Sequence, residues 1–265
     1  MNYTLGFIGC GNMGGALITA AAKKINGKNI AVCDYDQRKA EAFANAYGAT
    51  VLTGEELAQQ AKFVVLGVKP QVMESTLAPL TNTLCTRENL TVVTMAAGLS
   101  IAAIRTFIGK DVPVIRIMPN TPVLLGEGMI LYATDGVSES EEREFLAAFE
   151  KAGIFDKIPE TAIDAGSALS GCGPAFVYAF AEALIAGAAQ CGVSEEKATL
   201  YTAQTLLGAA KMLQEYGNPE ALRIAVCSPG GTTLAGIKAL NEADFHKVAG
   251  SAVTAAYKRT LELKK

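Results

Sequence analysis

The chain has 265 residues, half of them apolar, with 23 Lys and Arg against 26 Asp and Glu and a formal net charge of −3. That length buries a sizeable core and suits two domains, while the charge offers no basic surface for nucleic acid. Six cysteines, none in CxxC spacing, exclude a disulfide scaffold, and a lone histidine, His246, leaves a His-based metal site or a Ser-His hydrolase without companions, so no metal is expected.

Leu5 to Ile8 reads as a buried strand, Gly9 to Gly14 as a turn and Gly15 to Lys24 as a helix. Ile30 to Asp34, Phe63 to Val68, Leu90 to Met95 and Val112 to Ile117 are β-rich runs, separated by helical stretches such as Gln37 to Tyr47 and Gln71 to Leu80. This alternation predicts an α/β domain built on a doubly wound, mostly parallel sheet. Met129 to Tyr132 and Ile154 to Ile158 read as edge strands around a helix from Glu139 to Lys151. After about Glu160 the β-branched runs stop, and from Ala175 apolar residues recur at helical spacing among many Ala and Gly. The expected division is a Rossmann domain over residues 1–159 and an all-α domain over 160–265. Phe176 to Ala189 has so little polar surface that either a partner subunit covers it or it lies at the centre of its own chain. The N-terminus lacks a charged segment before an apolar run, and the longest apolar helical stretch, Ala183 to Ala189, is too short for a bilayer. No membrane partner and a cytoplasmic location are therefore expected.

Two segments carry chemistry. Gly9-Cys10-Gly11-Asn12-Met13-Gly14 matches GxGxxG directly after a strand and before a helix. In that context the first glycine makes the turn, the second admits a pyrophosphate and the third lets helix pack on sheet. Asp34, at the end of the second strand, is placed to accept from a ribose 2′-hydroxyl and to repel a 2′-phosphate, which favours NADH over NADPH; Arg38 and Lys39 nearby blur that preference. Asp34 also reads as a turn residue or N-cap before Gln37. Val68-Lys69-Pro70, Ala96-Ala97-Gly98 and Met118-Pro119-Asn120 stand at strand ends, where open α/β sheets bind ligands, with Asn120 able to donate to a carboxamide. Each reads equally as an ordinary loop.

The second segment is Ser228-Pro229-Gly230-Gly231-Thr232-Thr233. Pro229 stops a helix, the glycines turn the chain, and a new helix opens at Thr232 or Thr233 with Leu234, Ile237 and Leu240 at helical spacing. Its unpaired N–H groups suit a carboxylate or phosphate, although the same residues also make a plain turn and N-cap.

Together with Val68-Lys69-Pro70-Gln71, Arg116, Met118 to Pro122 and Leu169-Ser170-Gly171-Cys172-Gly173-Pro174-Ala175, these segments run in order over nearly the whole chain, which resembles the pyrroline-5-carboxylate reductases. The resemblance implies a Rossmann domain, then a helical domain that interlocks with that of a second chain in a homodimer, with a decamer as a larger assembly. It implies reduction by NADH or NADPH of the C=N bond of a cyclic imino acid, 1-pyrroline-5-carboxylate, to L-proline. Gly230, Gly231, Thr232 and Thr233 would hold the substrate carboxylate, Thr233 would also support the ring nitrogen, and Glu160 would line the pocket. Gly9, Cys10, Gly11, Asn12, Met13, Gly14, Asp34, Val68, Lys69, Pro70, Ala96, Ala97, Gly98 and Asn120 would form the cofactor site. Arg223-Ile224 stands where the family commonly has Lys-Asp, and Asp34-Tyr35 where many members carry residues suited to NADPH. A related cyclic imine is the alternative substrate, and a dinucleotide-binding protein without turnover the alternative class. A β-hydroxyacid dehydrogenase would need a Lys and an Asn where this chain has Val177 and Phe180.

Overall fold

The computed structural model describes residues 2–263. β1 (Tyr3–Ile8) leads through the glycine-rich turn into α1 (Asn12–Ala22), followed by β2 (Ile30–Cys33), α2 (Gln37–Tyr47), β3 (Thr50–Val51), α3 (Gly54–Gln60) and β4 (Ala61–Leu66). Then come α4 (Met73–Leu77), α5 (Thr81–Thr86), β5 (Thr91–Thr94), α6 (Ile101–Ile108), β6 (Val114–Met118), β7 (Gly128–Asp135), α7 (Glu139–Ala148) and β8 (Gly153–Lys157). The rest is helical: α8 (Glu160–Ser170), α9 (Gly173–Gln190), α10 (Glu195–Tyr216), α11 (Pro219–Ala225), α12 (Thr232–Glu242) and α13 (Phe245–Glu262).

The strands form one sheet in the order β3-β2-β1-β4-β5-β6-β7-β8, and every neighbouring pair is parallel except β6 with β7. The short connection through the 3-10 turn Thr121–Leu125 reverses the chain at that pair, whereas the parallel pairs need longer crossovers. Central strands are buried on both faces, which is why they read as unbroken apolar runs. Side chains alternate between two cores: Leu5, Phe7, Phe63, Val65, Ile115 and Ile117 join one, and Ile8, Val64, Leu66 and Val114 the other. Strand order reverses between β1 and β4, and a crevice at such a point is where open sheets bind ligands.

Several elements differ from the expectation. α1 begins at Asn12 rather than Gly15, because Gly14 and Gly15 lie inside the helix, packed against Gly9 and Phe43. The stretch read as one helix from Gln71 to Leu80 is broken into a 3-10 turn, α4 and a second 3-10 turn, with Pro70 and Pro79 opening the two 3-10 pieces. Of the two expected edge strands, β8 is at the edge and β7 is interior. Ala183 to Ala189 also understated the apolar helix. Residues Glu160–Gln190, interrupted only at Gly171-Cys172, include a window of mean hydropathy 1.4 that by length and composition alone is sufficient to cross a bilayer.

The chain divides into two compact units, one running to Cys172 and taking in the end of α13 from Ala256, the other being Gly173–Ala255. α8 therefore belongs with the sheet, where Gly166 brings it so close to β7 that an added Cβ would lie 2.5 Å from Leu131 Cδ1. The second unit has little interior of its own. α9 buries none of its residues, and Val177, Tyr178, Leu184, Leu200, Tyr201, Leu207 and Met212 are exposed.

Candidate active site

Three glycines set the geometry at the end of β1. Gly9 has φ +105°, in the region that L side chains rarely adopt, and a Cβ there would stand 2.7 Å from the Gly67 carbonyl carbon. A Cβ on Gly67 would stand 2.6 Å from Gly9 O, and one on Gly14 would overlap that same oxygen. The turn after β1, the first turn of α1 and the end of β4 thus meet backbone to backbone. A Cβ on Gly11, by contrast, would meet nothing within 4 Å, so that side of the loop is open for a ligand. Gly11 is the N-cap of α1 and supplies no side-chain cap, which leaves the first-turn N–H groups directed at the opening.

Gly11, Asn12 and Met13 line a cleft of about 550 Å³ with Gly67, Val68, Lys69, Pro70, Met95, Ala96, Met118 and Pro119, and Lys39 reaches it from α2. Two lysines and an uncapped helix start are the complement of a pyrophosphate. A second cleft of about 600 Å³ shares Val68 and is lined by Gly9, Cys33, Asp34, Tyr35, Thr76, Pro79 and Leu80. One side of the crevice therefore carries cations and helix N–H groups and the other carries Asp34. This polarity fits a dinucleotide with its pyrophosphate over Gly11 and a ribose at Asp34.

Asp34 does two jobs at once. Its Oδ2 accepts from the Cys10 N–H at 2.6 Å and its Oδ1 from the Asp36 N–H at 2.9 Å. The first bond ties the end of β2 to the glycine-rich loop, and the second makes Asp34 a turn residue before α2, whose N-cap is Asp36 and not Asp34. The carboxylate and burial together push the Cys10 thiol up to about 12, burial being the larger cause. Lys39 lines the Gly11 cleft, and Arg38 is turned to Asp36 at 2.9 Å.

The other expected residues are placed unevenly. Val68, Lys69, Pro70 and Ala96 line the cleft; Ala97 is exposed, and Gly98 turns the chain with φ +78°. Asn120 is committed elsewhere: its Nδ2 donates to Ser170 O at 2.9 Å and its Oδ1 accepts from the Met129 N–H at 3.0 Å, joining the end of β6 to α8 and β7. Glu160 does not meet this cleft. Its Oε1 accepts from the Ile101 N–H at 2.7 Å and from Arg116 Nη1 at 3.3 Å, and it borders a separate hollow with Thr134, Asp135 and Lys157.

In the second unit, Gly230 has φ +71° and Gly231 is the N-cap of α12, with no side-chain cap. The Gly231 N–H is taken by Ser228 O at 3.0 Å, so the turn closes on itself and presents the start of α12, with Thr232 and Thr233 at its first positions and Thr233 exposed. The N–H groups and partial positive charge of such an end are the complement of a small anion.

Sequence reasoning passed over Gly67, whose signal was a glycine at the end of a buried strand, and Thr76, Pro79 and Leu80, which carry no local signal.

Comparison with known proteins agrees with the fold. The family model for pyrroline-5-carboxylate reductase dimerisation matches residues 160–263, and that for coenzyme F420-dependent NADP oxidoreductases matches residues 4–98. The chain is 37% identical to pyrroline-5-carboxylate reductase 3 of Danio rerio over 263 residues, covering 98% of this chain and 91% of that protein. The solved pyrroline-5-carboxylate reductase of Coxiella burnetii matches with a TM-score of 0.90 at 31% identity, all of both chains being covered. The Plasmodium falciparum pyrroline carboxylate reductase, solved with NADP bound, matches with a TM-score of 0.88 at 29% identity over 100% of this chain and 99% of that one. Full-length similarity in sequence and fold, with both chemical segments in place, makes this chain a member of the pyrroline-5-carboxylate reductase family.

Proposed function

We propose that the chain transfers a hydride from a nicotinamide dinucleotide to the imine carbon of 1-pyrroline-5-carboxylate while a proton goes to the ring nitrogen, giving L-proline. What carries this reading is one chain holding both an open Gly11 crevice with Lys39 and Lys69 and an uncapped helix start at Gly231–Thr233, within a full-length likeness to the family. Imine reduction needs little acid–base machinery, since the nitrogen is itself basic, so positioning dominates. The N–H groups at the start of α12 hold the substrate carboxylate, and the Thr233 hydroxyl supports the nitrogen as it becomes an amine. Thr233→Ala should lower kcat/KM for the imine roughly tenfold or more, the worth of a hydrogen bond to a charged group, and leave the Kd for the cofactor unchanged. Unaltered turnover and substrate affinity would remove Thr233 from the chemistry.

NADH is the preferred cofactor in this reading. Two backbone N–H groups fix the Asp34 carboxylate, so it cannot swing away from a 2′-phosphate. Asp34→Ser should move the NADH to NADPH ratio of kcat/KM towards NADPH by about tenfold or more, corresponding to about 1.4 kcal/mol; an unmoved ratio would give cofactor choice to other residues. The apolar surface of α9 and α10 is covered by a second chain in a dimer with interlocked helices, the unit from which a decamer would be built. Six unpaired cysteines suit the reducing cytoplasm.

A further inference from the structure

Arg116 is a cation inside the protein, with its side chain 2% exposed. It lies on β6, and alternation along that strand turns it to the face of Val114, which α6 and α8 cover. Nη2 donates to Asp164 Oδ1 at 2.6 Å and Nη1 to Glu160 Oε1 at 3.3 Å, both acceptors being on α8. Nε has no partner among the described residues. A buried ion cluster with an unmet donor is a poor way to gain stability, and sites that break such rules tend to serve function.

What the cluster holds is the start of α6. Ser100 caps that helix by accepting from the Ala103 N–H at 3.1 Å, and the Ile101 N–H goes to Glu160 at 2.7 Å. Just before it runs the loop that supplies Met95 and Ala96 to the cofactor cleft. That loop is weakly held from within: Ala96 N–H reaches Thr94 Oγ1 at 3.3 Å, Leu99 N–H reaches Ala96 O at 3.4 Å, and Gly98 is in the left-handed region. At its α6 end Ser100 is held by the Ala103 and Ile104 N–H groups at 3.1 Å each, and the shortest bond there is that from the Ile101 N–H to Glu160. Arg116 itself lies two residues before Met118, which also lines the cleft. A single guanidinium thereby ties two walls of the cleft to α8.

We propose that Glu160 and Arg116 are positioning residues for the nicotinamide end of the cofactor, acting through the Met95 to Ser100 loop, and that Glu160 does not contact the substrate. This rests on the dinucleotide reading of the cleft. With the pyrophosphate over Gly11 between Lys39 and Lys69 and a ribose at Asp34, the walls of the cleft left for the nicotinamide end are Met95, Ala96, Met118 and Pro119, so loosening the loop should be felt mainly by a ligand that carries the nicotinamide ring.

The test compares binding of NADH and of ADP-ribose, which lacks that ring, to the unsubstituted protein and to Glu160→Ala and Glu160→Gln. The expected result is an NADH Kd about tenfold weaker in Glu160→Ala, with the ADP-ribose Kd unchanged. Glu160→Gln, whose amide oxygen can still accept from Ile101, should recover most of the loss. If Glu160→Ala fails to fold, Glu160→Asp keeps the charge but withdraws it by one methylene and makes the same comparison. Equal weakening of NADH and ADP-ribose, or no change in either, would overturn the proposal, as would a raised KM for the imine with unchanged NADH affinity. If the unsubstituted protein bound neither ligand, the dinucleotide reading would fall and this inference with it.

Discussion

Arg116→Met should lower the stability of the sheet-containing unit by about 3–5 kcal/mol, the cost of removing one member of a buried ion pair and leaving its carboxylates behind. Asp164 is 3% exposed and cannot regain water in place, whereas Glu160, at 31%, can do so in part. Asp164 therefore bears more of the penalty than Glu160. Arg116→Lys should fall between the wild type and Met, because a single ammonium keeps the charge but cannot fork to two acceptors on α8. Urea denaturation at one fixed protein concentration checks this, since a dimerising chain otherwise shifts its own midpoint. A midpoint for Arg116→Met within error of the wild type would show that the cluster contributes little to the fold.

Gly14→Ala and Gly11→Ala, three residues apart, should fail in opposite ways. At Gly14 the new methyl collides with Gly9 O, a backbone atom held by its own neighbours, so the turn itself must move. Destabilisation and loss of cofactor binding should appear together. At Gly11 the methyl meets no protein atom, so folding should be unaffected while the space for the pyrophosphate is filled. NADH affinity should then drop roughly a hundredfold, about 2.7 kcal/mol, with an unaltered unfolding midpoint. Thermal unfolding and NADH titration on both variants make the comparison. Gly11→Ala that bound NADH normally would place the dinucleotide elsewhere.

The sequence was most legible where function and local backbone need the same residues. Gly9 to Gly14 announces a strand, a tight turn and a helix because each step requires a missing side chain, and Gln37 to Tyr47 forms the helix its pattern predicts, ended by Gly48 in the left-handed region. α12 opens at Thr232 as Pro229 and the two glycines imply. Less legible were elements set by distant partners. α3 went unread although Thr53 and Glu56 form a capping box at its start. Proline at 70 and 79 broke a helix that apolar spacing alone would have continued. The roles of Asn120 and Glu160 could not be read locally, because their partners lie up to 59 residues away: Ser170 for one, Arg116 and Ile101 for the other. Both side chains join elements of the sheet domain.

The most direct test of the whole account is steady-state oxidation of NADH and NADPH, side by side, by the purified protein with 1-pyrroline-5-carboxylate. The expected result is turnover with proline as product and a higher kcat/KM for NADH, because the Asp34 carboxylate, fixed by two N–H groups, would repel a 2′-phosphate held beside it. Tight cofactor binding without turnover from either dinucleotide would contradict the proposed substrate and leave the Gly231–Thr233 helix start without its carboxylate.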